Sequence, residues 1–472
     1  MPTHLVWLRN DLRLSDNPAL AAACRSGERI VALYIHETDD DMRAPGAAAR
    51  WWLHHGLKAL AGSLADIGVP LRVETGPARA VMDEVLRETG AEALHWNRRY
   101  APADRRRDAE IKSALRDKDV TVTSYPGNVL VEPWDIETGQ GKPYSVFTPF
   151  WKSLKEQHID QPLARPSRRG DKIKAPAIDT GYEQPHWADK LVPYWTVGEA
   201  SAQERLDIFL DQQVAGYPRD RDFPGVDATS RLSPHLRFGE ISARQIWHAT
   251  RAHAHAHPDK AAAIEKFLSE LAWRDFSHHQ LYHRHDIRQV PMQRKFQDLS
   301  WRKAPEQLRA WQMGRTGIPI IDAGMRELWE TGYMHNRVRM LVASFLSKNL
   351  LIDWRLGEQW FWDCLVDADE ANNPASWQWV AGCGLDAAPY FRIFNPVTQG
   401  ERFDPNGTYV RRWVPEIAAL PDKHIHDPSS AEADRLREAG VVPGETYPRA
   451  MVDLKATRAR ALEAFGALPS PG

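Results

Sequence analysis

Apolar runs alternate with amphipathic segments along the first 131 residues of the chain. Residues 3–9 and 29–36 are short and almost continuously apolar, as in strands that are buried on both faces of a sheet. Residues 17–27 and 49–68 carry apolar positions three and four apart, which predicts helices that end at glycine, the first at Gly27. The alternation continues to residue 126 and predicts an α/β domain with a doubly wound parallel sheet.

The pattern changes twice after residue 131. It then fades and prolines recur, which is typical of a long connector across the protein surface. Later, apolar residues again recur three and four apart, as in residues 261–283, 317–334 and 335–354, and no stretch alternates like a strand. We therefore predict an α/β domain at residues 1–131, a linker at 132–197 and an all-helical domain at 198–472.

Composition and charge place the chain among soluble globular proteins. Of its 472 residues, 43% are hydrophobic and 26% are charged, and no apolar stretch reaches the length of a membrane-spanning helix. Arg9, Asp11 and Arg13 interrupt the region where a secretory signal would be apolar, and the three cysteines are widely separated. We therefore expect a cytoplasmic protein. The net charge of −2 gives no overall signal for nucleic acid, although it does not exclude a local basic face.

Residues 353–396 combine an unusual density of tryptophan with acidic and amide side chains. Asp367 and Asp369 are followed by the pair Asn372 and Asn373. Tryptophan is rare, large and usually buried, so an aromatic core is the simpler interpretation. A site for an aromatic ligand is the alternative. The tryptophans are Trp354, Trp360, Trp362, Trp377 and Trp379.

Three polar clusters in the helical half favour that alternative. Residues 229–233 (TSRLS) offer hydroxyl and N–H groups before a helix, where they could bind phosphate or serve as an ordinary N-cap. Glu270 and Arg274 lie four residues apart around a tryptophan, which also suits a surface ion pair. Residues 335–340 (HNRVRM) place arginines at the start of a very apolar helix, where a buried arginine needs a partner such as Asp367. Together these clusters suggest a large cofactor with phosphates and an aromatic ring system.

Other site patterns are weak. His279 and His283 have a metal-ligand spacing, but the sequence supplies no third ligand nearby, so we interpret them as a surface histidine pair and expect no metal. No GxGxxG follows the first predicted strand, and no GxxxxGK motif is present. Ordinary dinucleotide and P-loop sites are therefore not expected.

Five segments jointly resemble the photolyase/cryptochrome family. They are WLRNDLRLSDNPAL, TSRLSPHLRFGEIS, ELAWRDF, GIPIIDAGMRELWETGYMHNRVRM and DADEANNPASWQWVAGCGLDAAPYFRIFNP. The resemblance covers nearly the whole chain and implies a Rossmann-like antenna domain, a long linker and a helical FAD-binding domain. Within the family, the chain most resembles bacterial photolyases that repair cyclobutane pyrimidine dimers.

The resemblance implies a set of FAD contacts in the helical domain. Arg339 and Asp367 would form a charge pair beside the isoalloxazine, and Asn373 would face N5, where an amide can donate a hydrogen bond. The phosphates would be held by Tyr217, Thr229, Ser230, Arg231, Leu232 and Ser233. The flavin and ribose would be surrounded by Arg274, Asn336, Arg339, Asp367 and Asp369.

The resemblance also gives roles to the tryptophans and to a substrate pocket. Trp377, Trp354 and Trp301 match an electron relay, with Trp377 nearest the flavin and Trp301 at the surface. Trp360 and Trp362 lie outside this relay; we expect them to be core, with an alternative branch of the relay as the other choice. A flipped-out dimer would be lined by Glu270, Trp273, Met340 and Trp379, and Arg337 and Arg392 would contact backbone phosphates. Related enzymes for (6-4) photoproducts usually have histidine where this chain has Met340.

The implied reaction is light-driven and needs no metal. Excited reduced FAD donates an electron to the dimer, the cyclobutane ring opens, and the electron returns. A second, antenna chromophore is expected, with methenyltetrahydrofolate first, deazaflavin second, and none as the remaining choice. Residues 51–55 and 95–102 resemble the class III group, whereas Ala103 and Asp104 replace the Asn-Glu pair of the enterobacterial folate site.

The alternative function is a cryptochrome-like blue-light receptor with the same FAD and tryptophan relay but no repair. A long C-terminal extension would favour the receptor, and this sequence ends some 55 residues after the region of Trp413. We therefore expect a monomeric repair enzyme whose partner is damaged DNA. A nicotinamide-dependent oxidoreductase is disfavoured because no nicotinamide motif is found.

Overall fold

A computed structural model describes residues 2–26, 29–116, 118–167, 171–284, 286–387 and 389–468. The chain forms two compact units. The first contains residues 1–215, 230–285 and 366–371, and the second contains residues 216–229, 286–365 and 372–472. The domain boundaries at residues 131 and 197 stay a prediction, and the expected helix end at Gly27 lies outside the described residues.

The first unit is built on a five-stranded parallel sheet with the order β3-β2-β1-β4-β5. The strands are β1 (Thr3–Leu8), β2 (Arg29–Glu37), β3 (Leu71–Gly76), β4 (Ala91–Asn97) and β5 (Thr121–Tyr125). Trp7 and Trp96 lie fully buried in the core between the sheet and its helices. The predicted doubly wound sheet is confirmed. Its strand order reverses between β1 and β4, where sheets of this kind bind ligands beyond the carboxyl ends of the strands.

Nine α-helices belong to the described part of the first unit. They are α1 (Pro18–Arg25), α2 (Ala47–Asp66), α3 (Ala78–Thr89), α4 (Pro102–Arg116), α5 (Phe147–Glu156), α6 (Glu199–Ile208), α8 (Ser233–Phe238), α9 (Ala243–Ala256) and α10 (Ala261–His283). The segment predicted as a surface connector contains α5, whose Phe150 and Leu154 are buried. The expectation of a purely surface connector is therefore wrong, because this amphipathic helix contributes to the core.

The second unit is helical. Its helices are α7 (Tyr217–Asp220), α11 (Pro305–Gln312), α12 (Pro319–Thr331), α13 (Asn336–Ser344), α14 (Trp354–Cys364), α15 (Asn372–Ala381), α16 (Pro396–Phe403), α17 (Thr408–Trp413), α18 (Asp422–Ile425), α19 (Ala433–Glu438) and α20 (Leu454–Gly466). Across the described part of the chain, none of the helices has the length and apolarity needed to cross a lipid bilayer.

The apolar pattern predicts one helix at residues 335–354, but this stretch is divided in the structure. Helix α13 passes into a π-helical turn, Phe345–Asn349, and Leu351 has a positive φ of 53° that ends the run. A new helix, α14, begins at Trp354 with the side chain of Asp353 as its N-cap. The π-turn is buried throughout, which explains why its sequence looks like a continuation of the buried helix.

Candidate functional site

The polar residues of the N-terminal motif form a buried network in the first unit. Asn97 at the end of β4 donates to Asp11 at 2.6 Å and to Asn17 at 2.8 Å. Arg13 donates to the carbonyl of Gly239 at 2.8 Å. Gly239 has a φ of 68°, and a Cβ there would lie 2.0 Å from the carbonyl oxygen of Asn10. The hydrogen bonds of this motif therefore connect the carboxyl ends of β1 and β4 to the residue that follows α8.

A cavity of about 160 Å³ opens beside this network. It lies beyond the carboxyl ends of β1, β2 and β4, the position that the strand order indicates for a ligand. Its polar lining includes Arg9, Asn10, Asp11, Tyr34, Glu37, Asn97, Arg99, Tyr100, Asp104, Arg237, Arg274, His278 and Asp369.

Ion pairs fix the charged side chains that line this cavity. Arg9 pairs with Asp108 at 2.8 Å, and Arg99 reaches both Glu37 at 2.5 Å and Asp104 at 2.7 Å. These side chains are almost fully removed from solvent, so each charge depends on its partner. These ion pairs give the cavity a polar wall in which Arg9 and Arg99 each have an acidic partner.

Residues 230–233 of the predicted phosphate segment form a tight turn in the first unit. Arg231 has a positive φ of 50°, and Leu232 follows with a φ of −81°. Successive residues with φ of opposite sign point their N–H groups to one side, an arrangement that binds anions. Leu232 occupies the N-cap position of α8, while the Ser233 hydroxyl donates to Asp367 at 2.6 Å. Helix α8 has no side-chain hydrogen bond at its N-cap, so the N-cap alternative for residues 229–233 is wrong, and Ser233 and Asp367 are brought together.

Helix α10 carries the predicted pocket residues of the first unit. Trp273 stacks on Phe147 of α5 with ring centroids 3.8 Å apart and an interplanar angle of 9°. Glu270 pairs with Lys266 one turn earlier at 2.7 Å. Arg274 donates to the carbonyl of Asn128 at 2.6 Å. Phe147 was missed by the sequence analysis, because nothing in the segment after residue 131 connects it with a tryptophan far along the chain.

Asp275 and the histidines near the end of α10 are structural. Burial raises the pKa of Asp275 to about 6, and its carboxylate accepts the N–H of Leu130. The backbone N–H of Tyr144 donates to Nε2 of His279, so Nδ1 of His279 donates to the carbonyl of Pro133. Burial lowers the pKa of His279 to about 4. His279 is therefore a neutral core residue, and its interpretation as a surface histidine is wrong.

In the second unit, Trp377 lies in a close-packed aromatic cluster. Its ring meets Phe361 at 5.0 Å and Trp311 at 6.2 Å, both edge to face. Gly357 on α14 provides the space, since a Cβ there would lie 2.2 Å from Trp377 Cη2. Trp354 is fully buried. Gly357 was not indicated by the sequence, since its packing role depends on α14, which only the structure shows.

Asn373 faces Glu358 across α14 and α15. Its amide nitrogen donates to the Glu358 carboxylate at 2.7 Å and to the Glu358 carbonyl at 3.0 Å. Both side chains are buried. Because the amide nitrogen contacts Glu358 twice, Oδ1 is the atom left to accept a hydrogen bond, and the expected contact of Asn373 with flavin N5 stays a prediction.

The side chain of Gln378 fixes the helix that carries Trp377 and Trp379. Fully buried Gln378 donates to the carbonyls of Ile287 at 2.6 Å and Val290 at 3.0 Å. Its Oε1 accepts the N–H of Met292 at 2.8 Å. Trp379 is half-buried beside this anchor.

The two remaining tryptophans of α14 differ in environment. Trp362 is buried, as expected of a core residue. Trp360 is only half-buried and stacks on exposed Trp329, with centroids 6.0 Å apart and planes within 5°. The expectation that Trp360 is core is therefore wrong.

The start of α13 holds its arginines by specific contacts. Arg337 pairs with Asp222 at 2.7 Å and lies over the ring of Phe403 at 4.3 Å. Arg339 donates to the carbonyl of Met334 at 2.7 Å. The Nε of Arg337 is buried without a hydrogen-bond partner. The other predicted residues of this unit are Tyr217 (buried), Thr229, Trp301 and Met340 (half-buried), and Asn336 and Arg392 (exposed).

Comparisons with known proteins agree with this architecture. Residues 4–168 match the family described as DNA photolyase, and residues 267–467 match the FAD binding domain of DNA photolyase. The chain is 46% identical over 474 residues to the deoxyribodipyrimidine photo-lyase of Agrobacterium fabrum, covering 98% of each chain. The chain belongs to the photolyase/cryptochrome family.

Relatives in this family include both repair enzymes and receptors. Cryptochrome-1 of Arabidopsis thaliana is 35% identical, with 98% of this chain and 70% of the relative covered. A bacterial class III photolyase from Agrobacterium tumefaciens superimposes with a TM-score of 0.93 at 46% identity, covering 99% of this chain and 98% of the other. The similarity thus extends over the sheet and the helical part alike.

Each unit contains polar groups that suit the FAD for which the matched domain is named. The Arg231–Leu232 turn presents N–H groups suited to a pyrophosphate. Asp367 is held by Ser233, and the Oδ1 of Asn373 is the acceptor left by its contacts with Glu358. Among the described residues, no group of three His, Cys, Asp or Glu side chains could hold a metal ion.

Proposed function

We propose that the chain repairs cyclobutane pyrimidine dimers in DNA in a light-driven reaction. The observation that carries this proposal is full-length similarity, 46% identity over 98% of both chains, to a relative named deoxyribodipyrimidine photo-lyase. The fold supports it, because the same two parts, a parallel sheet and a helical FAD-binding part, are present. The reaction class is a carbon–carbon lyase without net redox change.

The proposed FAD site uses main-chain N–H groups for the phosphates and side-chain groups for the flavin. Bound, reduced FAD supplies the light-excited electron that opens the cyclobutane ring. The Arg231–Leu232 turn would bind its phosphates, and Tyr217 and Thr229 would complete that part of the site. Asn373 would present its Oδ1 to the flavin ring, because Glu358 fixes the orientation of the amide. The further contacts proposed are Ser230, Ser233, Arg274, Asn336, Arg339, Asp367 and Asp369.

The substrate would be a dimer turned out of the duplex. A dimer stacks and pairs poorly, so extruding it costs less than extruding a normal pair. Trp273 would present one ring face to the dimer, because Phe147 covers its other face. Glu270, Met340 and Trp379 would line the rest of the pocket.

We further propose a monomeric, cytoplasmic enzyme.

Electrons would reach the flavin through tryptophan rings. Trp377, Trp354 and Trp301 are the proposed relay, with decreasing burial from Trp377 and Trp354 to half-buried Trp301. An indole ring can give up an electron and later regain one from the solution. Burial of the inner two rings excludes water from the path.

A second chromophore would occupy the cavity at the carboxyl ends of β1, β2 and β4. Tyr100 and Asp104 line this cavity, so the segment in which the enterobacterial folate motif is replaced faces it directly. Methenyltetrahydrofolate is the first choice, deazaflavin the second, and an antenna-free enzyme the third. The absorption spectrum of the purified chain distinguishes them, since folate and deazaflavin absorb at different wavelengths from FAD.

A blue-light receptor is the second candidate. The 35% identity to Cryptochrome-1 over 98% of this chain favours it, because fold and flavin site are shared by both classes. Repair activity separates the two proposals. A receptor would show flavin photochemistry without loss of dimers.

The deciding experiment uses the full chain, a reductant and a duplex with one thymine dimer. We expect dimers to disappear under blue light and persist in darkness. Glu270→Gln should lower repair, whereas Glu265→Gln, which removes a similarly lysine-paired carboxylate on the same helix, should not. Dimers that persist in both light and darkness would contradict the repair function.

A further inference from the structure

A lysine with no exposed surface lies beneath an exposed turn of the second unit. Lys348, in the π-turn after α13, is fully buried. Its Nζ donates to the backbone carbonyl of Arg392 at 3.2 Å and lies 5.2 Å from the ring centre of Tyr390. Burying an ammonium group is costly unless the charge is paired and hydrogen-bonded. A π-turn often marks a functional position.

The turn above this lysine, residues 389–393, exposes an apolar and a cationic side chain together. Phe391 is 62% exposed, and Arg392 beside it is also exposed. The turn is closed by backbone hydrogen bonds from Arg392 to Pro389 and from Ile393 to Phe391, both 2.9 Å. An exposed aromatic ring beside a guanidinium group suits nucleic acid, because the ring contacts bases and the cation contacts phosphate.

Aromatic contacts of Tyr390 also hold the 389–393 turn in place. Tyr390 is buried and stacks on Phe465 of α20 with centroids 4.7 Å apart and planes within 10°. Phe296 meets the same Tyr390 ring at 5.6 Å. The aromatic cluster fixes Tyr390, and Lys348 fixes the peptide of Arg392, so the exposed side chains have a defined direction.

We propose that Lys348 is a positioning residue for DNA, holding the 389–393 turn so that Phe391 and Arg392 meet the duplex. This role rests on the proposed function, in which Arg392 contacts backbone phosphate. Lys348 itself does not touch DNA, since it has no exposed surface. It acts through the Arg392 carbonyl, which accepts its hydrogen bond.

The charge state of Lys348 makes the role measurable. Burial lowers the pKa of Lys348 to about 8, with Cys383 and Arg392 as the nearby electrostatic influences. Above this pH the neutral amine donates a weaker hydrogen bond and loses its attraction to the Tyr390 ring. Burial raises the pKa of Cys383 to about 12, so it does not titrate in this range. Helices α13, α14 and α20 pack against the π-turn. The charged or titratable groups on these helices and on the segments beside them are Arg337, Arg339, Asp353, Arg355, Glu358, Asp363, Cys364, Cys383, Tyr390, Arg392, Lys455, Arg458, Arg460 and Glu463.

The contribution of Lys348 to the free energy of unfolding depends on pH in the opposite direction from its proposed contribution to DNA affinity. Because the pKa of Lys348 is lower in the folded chain than its ordinary value of 10.5, the unfolded chain binds more protons between pH 8 and 10.5. This group therefore makes the free energy of unfolding rise with pH in that window. DNA affinity should instead fall as pH rises through about 8.

The test measures binding in darkness, so that no dimer is repaired. Fluorescence anisotropy with a duplex carrying one thymine dimer, and with the undamaged duplex, is followed from pH 6.5 to 9 at constant salt. We expect Lys348→Met to weaken binding at pH 7 by roughly two- to tenfold, the loss of one hydrogen bond, and to flatten the pH profile. The matched control is Lys295→Met, which removes a cation from the same aromatic cluster, 5.0 Å from Phe465, and should keep the wild-type profile.

Each result separates this inference from the proposed function. A Lys348→Met chain with wild-type affinity and pH profile would overturn the role of Lys348. Wild-type protein that binds both duplexes equally would instead contradict the repair function. If Lys348→Met does not fold, the wild-type profile alone decides, since a flat affinity between pH 7 and 9 overturns the proposal. Unchanged flavin absorption in the variant shows that the loss is local.

Discussion

At the residue scale, sequence identified chemical groups more readily than their partners. Asn373 stands in a visible amide pair, yet its partner Glu358 lies on the preceding helix, and only the packing of α14 against α15 brings them to 2.7 Å. Trp273 was evident as a candidate, but Phe147, which stacks on it at 3.8 Å, comes from a distant segment. A side chain's type is local information, whereas its partner is decided by the fold.

Trp377 offers a prediction at this scale. Trp377→Phe keeps an aromatic ring in the cluster but removes the indole, which is the more easily oxidised ring. We expect flavin photoreduction to be blocked, while repair persists once FAD has been reduced chemically. Absorption changes under blue light measure the first step, and dimer loss measures the second. A prereduced variant that cannot repair would show that Trp377 has another role.

Trp311→Phe is the control for that experiment. Trp311 meets the Trp377 ring at 6.2 Å, but it lies outside the proposed relay and donates to the carbonyl of Val342 at 3.1 Å. Its substitution should lower the melting temperature through the lost hydrogen bond and leave photoreduction intact.

At the scale of elements, apolar periodicity predicted where helices exist better than where they end. Residues 261–283 form α10 with the predicted bounds. Residues 335–354 instead form α13, a π-turn and the start of α14; residues 341–352 are buried throughout, so the sequence stays apolar across the break. The helix α5 was hidden within a proline-rich segment. Periodicity reports which face is buried and says little about a local change in hydrogen bonding.

Two helical glycines give a paired prediction for the elements. Gly357→Ala would place a Cβ 2.2 Å from Trp377 and 2.6 Å from Leu346, so α14 must shift away from the aromatic cluster. We expect a loss of about 1–3 kcal/mol in the free energy of unfolding. Gly62→Ala in α2 meets nothing within 4 Å and should stabilise by about 0.5–1 kcal/mol. Urea denaturation measures both, and equal effects of the two substitutions would contradict the packing argument.

At the scale of the whole molecule, buried histidines predict sensitivity to acid. Burial lowers the pKa of five histidines to about 4, namely His54, His95, His278, His279 and His335. Between pH 6.5 and 4 the unfolded chain therefore binds more protons at these sites, and stability falls as pH falls. Four carboxyl groups oppose this trend, because burial raises the pKa of Asp275 to about 6 and also raises the pKa values of Glu132, Asp322 and Asp404. The lowered pKa values of Asp83, Asp108 and Glu416 act in the same direction as the five histidines.

The measurement is the free energy of unfolding from urea titrations at pH 7, 6, 5 and 4.5. We expect a steady decrease over this range. His158→Gln is the control, because the side chain of His158 is 88% exposed and its loss should leave the pH dependence unchanged. Stability that stays constant from pH 7 to 4.5 would show that these histidines do not charge on unfolding.

The sequence by itself determined the α/β and helical classes, the order of the parts and the family, because periodicity and motif residues are written along the chain. It also indicated most of the residues expected to hold FAD and substrate. The tertiary structure decided which groups meet: Ser233 with Asp367, Asn373 with Glu358, and Lys348 with the carbonyl of Arg392. It also moved His279 into the core and Trp360 toward solvent. These outcomes depend on burial and hydrogen bonds between segments distant in sequence, which no local pattern records.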